Sequence, residues 1–121
     1  MGATPPVVLT IAGFDPSSGA GVTADIKTIA AHECYGVSCI TALTVQSTRG
    51  VRRVVGVDAG IVAETLQELA ADVAVDAVHI GMLGNGLVAE AVADFLEQAK
   101  LGHVVLEDVY KRQVYVRRPQ I

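Results

Sequence analysis

Three glycine-bearing stretches, far apart in the chain, carry the side chains best suited to grip a small polar ligand. The first is Gly13-Phe14-Asp15-Pro16-Ser17-Ser18-Gly19-Ala20-Gly21, which leads directly into a helical pattern. Its glycines let a backbone approach a ligand closely, and the open amides of a helix start favour anions or polar acceptors. Asp25 follows one turn inside that helix, where the amino-terminal dipole stabilises a carboxylate. The second stretch, Thr44 to Gly50, supplies Gln46, Ser47 and Thr48. A glutamine amide offers donors and an acceptor together, so it can read a heterocycle edge that pairs an amine with a ring nitrogen. The third, Gly81-Met82-Leu83-Gly84-Asn85-Gly86, sets a polarizable thioether where it can wall a flat ring.

Each feature also has a plain structural reading, and spacing alone leaves the pairs open. The first stretch can be an ordinary strand-to-helix turn, Asp25 a solvent-facing helix acid, Gln46 a solvated loop residue and Met82 a core residue. Helix capping by Asn85 accounts for the third stretch without an anion. Some chemistries are excluded more firmly. Gly19-Ala20-Gly21-Val22-Thr23-Ala24 matches the dinucleotide fingerprint only weakly: five residues separate it from the preceding glycine, and no ribose-binding acid stands about 20 residues on. No Gly-Lys-Ser or Gly-Lys-Thr occurs. His32, His79 and His103 are scattered, and His79, between Val78 and Ile80, reads as a strand residue and not a ligand. Cys34 and Cys39 read as buried small hydrophobes in a reducing compartment.

The elements that must position these stretches alternate. Residues 7–13 form a β-rich run suited to a strand buried on both faces. From Ala20 to about Glu33 the apolar positions Val22, Ile26, Ile29 and Ala30 mark an amphipathic helix. Val37 to Val45 reads as a second buried strand and Val54 to Val57 as a short third. Asp58 caps a helix striped by Val62, Leu66, Leu69 and Val73; Ala77 to Ile80 makes a strand; Asn85 caps a helix with Val88, Ala91, Val92, Phe95, Leu96 and Ala99 on its apolar face. His103 to Leu106 begins another strand. This alternation predicts an α/β fold, a mainly parallel sheet covered by helices, with ligands gathered outside the carboxyl ends of the strands. All three stretches are then expected on one rim.

Length and composition agree with a single soluble cytosolic domain: 121 residues, 51% apolar, 4% aromatic and 18% charged. The formal net charge of −4 argues against a nucleic-acid or anionic-membrane partner recruited by global charge, and no apolar run approaches the about 20 residues that span a bilayer. The charge is uneven. Residues 1–107 carry five cations against twelve acids, whereas residues 108–121 carry four cations against Asp108 alone. Asp108-Val-Tyr-Lys-Arg-Gln113 is the translation of GAT GTG TAT AAG AGA CAG, the mosaic end of a transposon adapter used in sequencing-library preparation. Residues 108–121 are therefore expected to be a non-native tail, set aside from functional reasoning, and residues 1–107 the native fragment.

Leu9-Thr10-Ile11-Ala12-Gly13 with Asp15-Pro16-Ser17, then Gly19-Ala20-Gly21 and Ala24-Asp25-Ile26-Lys27-Thr28, resembles the amino terminus of the hydroxymethylpyrimidine/phosphomethylpyrimidine kinases, in the ribokinase-like superfamily. Tyr35-Gly36-Val37-Ser38, Ile40-Thr41-Ala42-Leu43-Thr44, Gln46-Ser47-Thr48 and Ile80-Gly81-Met82-Leu83 continue the likeness in order, over about residues 7–106. The resemblance implies a three-layer αβα fold and phosphorylation, by ATP with Mg²⁺, of the hydroxymethyl group of 4-amino-5-hydroxymethyl-2-methylpyrimidine and then of its monophosphate. It implies a cytoplasmic, thiamine-biosynthetic enzyme that is a homodimer at full length. Gln46 resembles the family's pyrimidine-reading glutamine, Gly13 its backbone contact and Asp25 a polar contact to the ring substituents, with Ala20, Thr44 and Met82 lining the pocket.

The likeness also has gaps. The family's Gly-Thr-Gly-Cys turn, which holds the transferred phosphate and the catalytic cysteine, does not occur here, and neither does Asp-Pro-Val-Met; Glu107 stands where its aspartate is expected. The resemblance thus implies an acceptor half without a catalytic centre, inactive alone and prone to aggregate or dimerise loosely through exposed strand edges. Two other readings are a pyridoxine or pyridoxal kinase of the same superfamily and a non-catalytic small-ligand module. Gln46 within Thr44-Val45-Gln46-Ser47 favours the aminopyrimidine.

Overall fold

Stretches rich in β-branched residues alternate with helical stripes, and the chain folds accordingly into a six-stranded mixed sheet. The computed structural model describes residues 4–108 and 113–117. In chain order the elements are β1 (Val7–Phe14), α1 (Gly21–Ala31), β2 (Tyr35–Ser47), β3 (Gly50–Gly56), α2 (Ala59–Asp72), β4 (Ala77–Ile80), α3 (Gly86–Ala99), β5 (Val104–Asp108) and β6 (Gln113–Arg117). The sheet order is β3-β2-β1-β4-β5-β6. The inner pairs β1–β2, β1–β4 and β4–β5 are parallel, and both outer pairs, β2–β3 and β5–β6, are antiparallel.

Alternate residues of β1 divide the two faces, as strand geometry requires. Leu9 and Ile11 are fully buried with Val78 and Ile80 of β4, Val62 and Leu66 of α2, and Val88, Val92 and Phe95 of α3. Thr10 points to the opposite face, where its hydroxyl donates to Asp25 of α1. Helices therefore cover both sides, the α/β architecture expected. Asp58 caps α2 by accepting from the amides of Gly60 and Ile61, and Asn85 caps α3 by accepting from Val88.

Several boundaries differ from the sequence reading. β2 extends to Ser47, and its distal Leu43 and Val45 are about half exposed, so only its first part is a buried strand. Of the expected third strand at Val54 to Val57, residues 54–56 are the end of a longer β3 that starts at Gly50 and pairs antiparallel with β2, and Val57 lies just beyond it. Ala30 is exposed, and Val73 leaves the α2 stripe by taking extended backbone at the helix end. Cys39 is buried, and that burial pushes its thiol up to about 11, whereas Cys34 is only half-buried. Of the expected tail, residues 109–112 and 118–121 lie outside the described residues, while Gln113–Arg117 pairs with β5. Among the described residues no helix is long and apolar enough to cross a membrane.

Leu66 is fully buried between α2 and the sheet, whereas Ile61 on the same helix is 56% exposed. Leu66→Ala should lower the free energy of unfolding by about 2–5 kcal/mol in a denaturant titration, and Ile61→Ala should stay within about 0.5 kcal/mol of the parent.

Candidate functional site

The β1–α1 loop is closed by backbone contact at two glycines. Pairing of β1 with β2 slips between Ala12 and Phe14, at Gly13. Gly21, the first residue of α1, has φ +67° and forms an isolated antiparallel bridge with Phe14. A Cβ on Gly21 would lie 2.3 Å from the Gly13 carbonyl oxygen, so only glycine lets the helix start so near the strand end.

Asp15 fills the inside of this loop. It is 4% exposed; one carboxylate oxygen accepts from the Ser17 amide at 2.8 Å and the Ser17 hydroxyl at 2.6 Å, the other from the Ala20 amide at 3.0 Å. The Ser17 hydroxyl, with the amides of Ser17, Ala20 and Gly19 behind it, holds the Asp15 carboxyl below its ordinary value against the opposing effect of burial. Asp15 organises the loop, and that work leaves little of it free for a ligand.

The loop after β4 reaches the same place from the other side of β1. The Gly81 amide donates to the Ile11 carbonyl at 2.8 Å, and the buried Thr41 hydroxyl of β2 donates to the Met82 carbonyl at 2.6 Å. Met82 is thereby held over Gly13, where a Cβ would meet its Cε at 2.6 Å. With its side chain 38% exposed, Met82 is a wall residue and not a core one.

These elements enclose a cavity of about 500 Å³, a volume suited to a small molecule. Gly13, Ala20, Asp25, Thr44, Gln46 and Met82 all line it. Thr44 and Gln46 reach it from within β2, not from a strand-end loop: the expected second loop is a β-hairpin whose turn is only Thr48 and Arg49. The Thr44 hydroxyl lies 2.7 Å from the Phe14 carbonyl oxygen and 3.0 Å from the Gln46 amide oxygen, with one proton to share between them. Asp25 turns inward from α1 to accept from Thr10 at 2.7 Å, so it is not a solvent-facing helix acid.

The pattern of the phosphomethylpyrimidine kinase family matches residues 15–113. The chain belongs to that family. It is 48% identical over 101 residues to the hydroxymethylpyrimidine/phosphomethylpyrimidine kinase of Escherichia coli K12, a match covering 84% of this chain and 38% of that protein. The crystal structure of a phosphomethylpyrimidine kinase from Clostridium difficile 630 superposes with a TM-score of 0.81 at 35% identity, over 84% of this chain and 44% of that one. An ADP complex of Bacillus subtilis pyridoxal kinase superposes with a TM-score of 0.80 at 30% identity, over 88% of this chain and 42% of that one. The chain thus spans less than half the length of these relatives, with the ribokinase-like α/β architecture that their fold shares.

This phosphomethylpyrimidine kinase family chain has cavity walls that the sequence reading passed over. Val51 and Val54 come from β3 and Glu107 from the end of β5. The valines were legible only through the hairpin, whose signal is a β-branched run on each side of Ser47-Thr48-Arg49-Gly50. His79 does not line the cavity but contacts two acids that do.

Two outcomes test this construction of the loop. Gly21→Ala should destabilise the chain by more than the about 1–2 kcal/mol of left-handed strain, because the added methyl also collides with Gly13; denaturant unfolding reads this. Asp15 is held below its ordinary value, so its contribution is complete above that value and is lost as pH falls through the folded one. Amide NMR signals of Ser17 and Ala20 should therefore keep their folded positions into the range where free aspartate is already protonated.

Proposed function

We propose that this chain forms the acceptor-binding part of a kinase that phosphorylates the hydroxymethyl group of 4-amino-5-hydroxymethyl-2-methylpyrimidine, and then the resulting monophosphate, at the expense of ATP in thiamine biosynthesis. One observation carries the reading: Gly13, Gln46 and Met82, from three separate parts of the chain, line a single small cavity. In it, the Gln46 amide reads the amine and neighbouring ring nitrogen, Met82 packs on the ring face, and the Gly13 backbone and Asp25 meet the polar substituents. Ala20 and Thr44 complete the wall. Transfer of a phosphoryl group depends chiefly on positioning and on offsetting charge, and positioning the acceptor is the share that these residues supply.

In the same reading the donor share lies in the part of the family's length that this chain does not span. The described residues contain no group of three or more His, Cys, Asp or Glu able to hold a metal ion, and the sequence has no Gly-Thr-Gly-Cys turn. The nucleotide and Mg²⁺ belong, in this reading, to that part of the family's length. In the same reading the full-length enzyme is a cytoplasmic homodimer. Two free cysteines suit a reducing compartment, and the half-exposed Leu43, Val45 and Val51 suit further packing of the hairpin.

Pyridoxal is the competing acceptor, since it too is a flat heterocycle bearing a hydroxymethyl group and a pyridoxal kinase shares the fold. In the full-length enzyme, kcat/KM should favour the aminopyrimidine, and Gln46→Ala should lower that value about tenfold or more and bring the two acceptors close to parity. Preference for pyridoxal in the parent enzyme would overturn the assignment. An unchanged preference in the variant would remove Gln46 from the role given to it.

A further inference from the structure

The charged residues that line the cavity, Asp15, Asp25 and Glu107, are all acids, although in the proposed function the second acceptor is a phosphate monoester and hence an anion. Asp15 is occupied by its own loop, which leaves Asp25 and Glu107 as the carboxylates facing that ligand. Directly behind both stands His79. It is the register partner of Thr10 across the β1–β4 pair, so the two side chains share the face of the sheet that α1 covers. Its Nδ1 lies 3.1 Å from Thr10 Oγ1 and 3.4 Å from Asp25 Oδ2, and its Nε2 lies 3.1 Å from Glu107 Oε2.

With Asp25 and Glu107 ionised, hydrogen-bond stoichiometry sets the protons of this group. The Thr10 hydroxyl has one proton, and the 2.7 Å contact commits it to Asp25, since a carboxylate can only accept. Thr10 must then accept from His79, which requires a proton on Nδ1. Glu107 can likewise only accept, which requires a proton on Nε2. All these contacts form at once only if the ring is an imidazolium. The titratable groups facing it are Asp25 from α1 and Glu107 from β5, while β1 contributes the neutral Thr10.

We propose that His79 is a positioning residue: as an imidazolium bridged to Asp25 and Glu107, it fixes the Asp25 carboxylate through Thr10 and offsets the charge of an acid-lined cavity so that an anionic acceptor can enter. The charge-offset part rests on the function proposed above; the protonation of the ring does not.

Nitrogen-resolved NMR of the histidine rings in the 121-residue chain tests the second point without any variant. With both acids ionised, the two ring nitrogens of His79 should each carry a proton and correlate with Asp25 and Glu107; a neutral ring with one bare nitrogen overturns the proposal. The first point is read in the full-length enzyme as acceptor discrimination. His79→Gln should raise KM for the pyrimidine monophosphate about tenfold more than KM for the uncharged pyrimidine, and His79→Lys, which restores a cation, should recover most of the difference. Equal effects on both acceptors, or no recovery with lysine, reduce His79 to packing and sink the charge-offset role. If the parent enzyme phosphorylates neither acceptor, the functional reading fails while the ring measurement still decides the ion triad.

Discussion

Closure of the β1–α1 loop onto the end of its own strand is the constraint from which the site follows. A helix that starts within van der Waals reach of the Gly13 carbonyl cannot carry a side chain at its first residue, and Gly21 carries none. The same approach leaves the loop's polar backbone with little water inside, so its amides need an internal acceptor. Asp15 supplies it, accepting three hydrogen bonds within five residues of itself. The loop is thereby a fixed object, and Ala20 and Gly13 can serve as rigid walls.

A second consequence runs through α1. Its stripe is thin: Val22 alone is fully buried, and Ile26 and Ile29 pack where Gly36 leaves space on β2. Between its apolar residues that face of the sheet carries a polar pair, Thr10 and His79, side by side under Asp25. Polar groups at such positions are costly unless paired, and here they pair with one another. No buried side-chain polar atom among the described residues lacks a partner. The pairing holds α1 at the height that presents Asp25 to the cavity, so the placement of the helix depends on hydrogen bonds as much as on apolar burial.

The parts of this arrangement that follow local rules were readable from the residues. Strand β4 was expected at Ala77 to Ile80 and forms there, because a short β-branched run bounded by turn residues has one favourable conformation. The caps at Asp58 and Asn85 and the buried face of α3 follow equally local chemistry. What failed was pairing between distant segments. Leu43 and Val45 look like core residues in a β-rich run, yet they are exposed, because burial depends on which element covers a face and not on the run itself. Nor does spacing place Glu107 against His79, 28 positions away; only the adjacency of β4 and β5 does. The convergence of the three stretches follows from the rule that strand ends share one rim in an open α/β sheet, while the side-by-side order of β2, β1 and β4 that brings the six wall residues into one cavity is a long-range property.

The hairpin that carries Gln46 answers to a different constraint. The last residue of β1 to find a partner on β2 is Phe14, opposite Leu43, so β2 beyond that point has lost its parallel neighbour. On the opposite edge of β2 the chain folds back as β3, which pairs antiparallel from Ala42 to Ser47 and so carries the projecting end of β2 on one side only. Strand alternation then turns Thr44 and Gln46 to the cavity and Leu43 and Val45 to the outside. Every residue of β3 is exposed, so this wall gains little from apolar burial and is held by its ladder and by the Thr44 hydroxyl on Phe14. It is consequently the least stable side of the cavity, set against the rigid β1–α1 loop, and Gln46 sits on the side most able to adjust to a ligand.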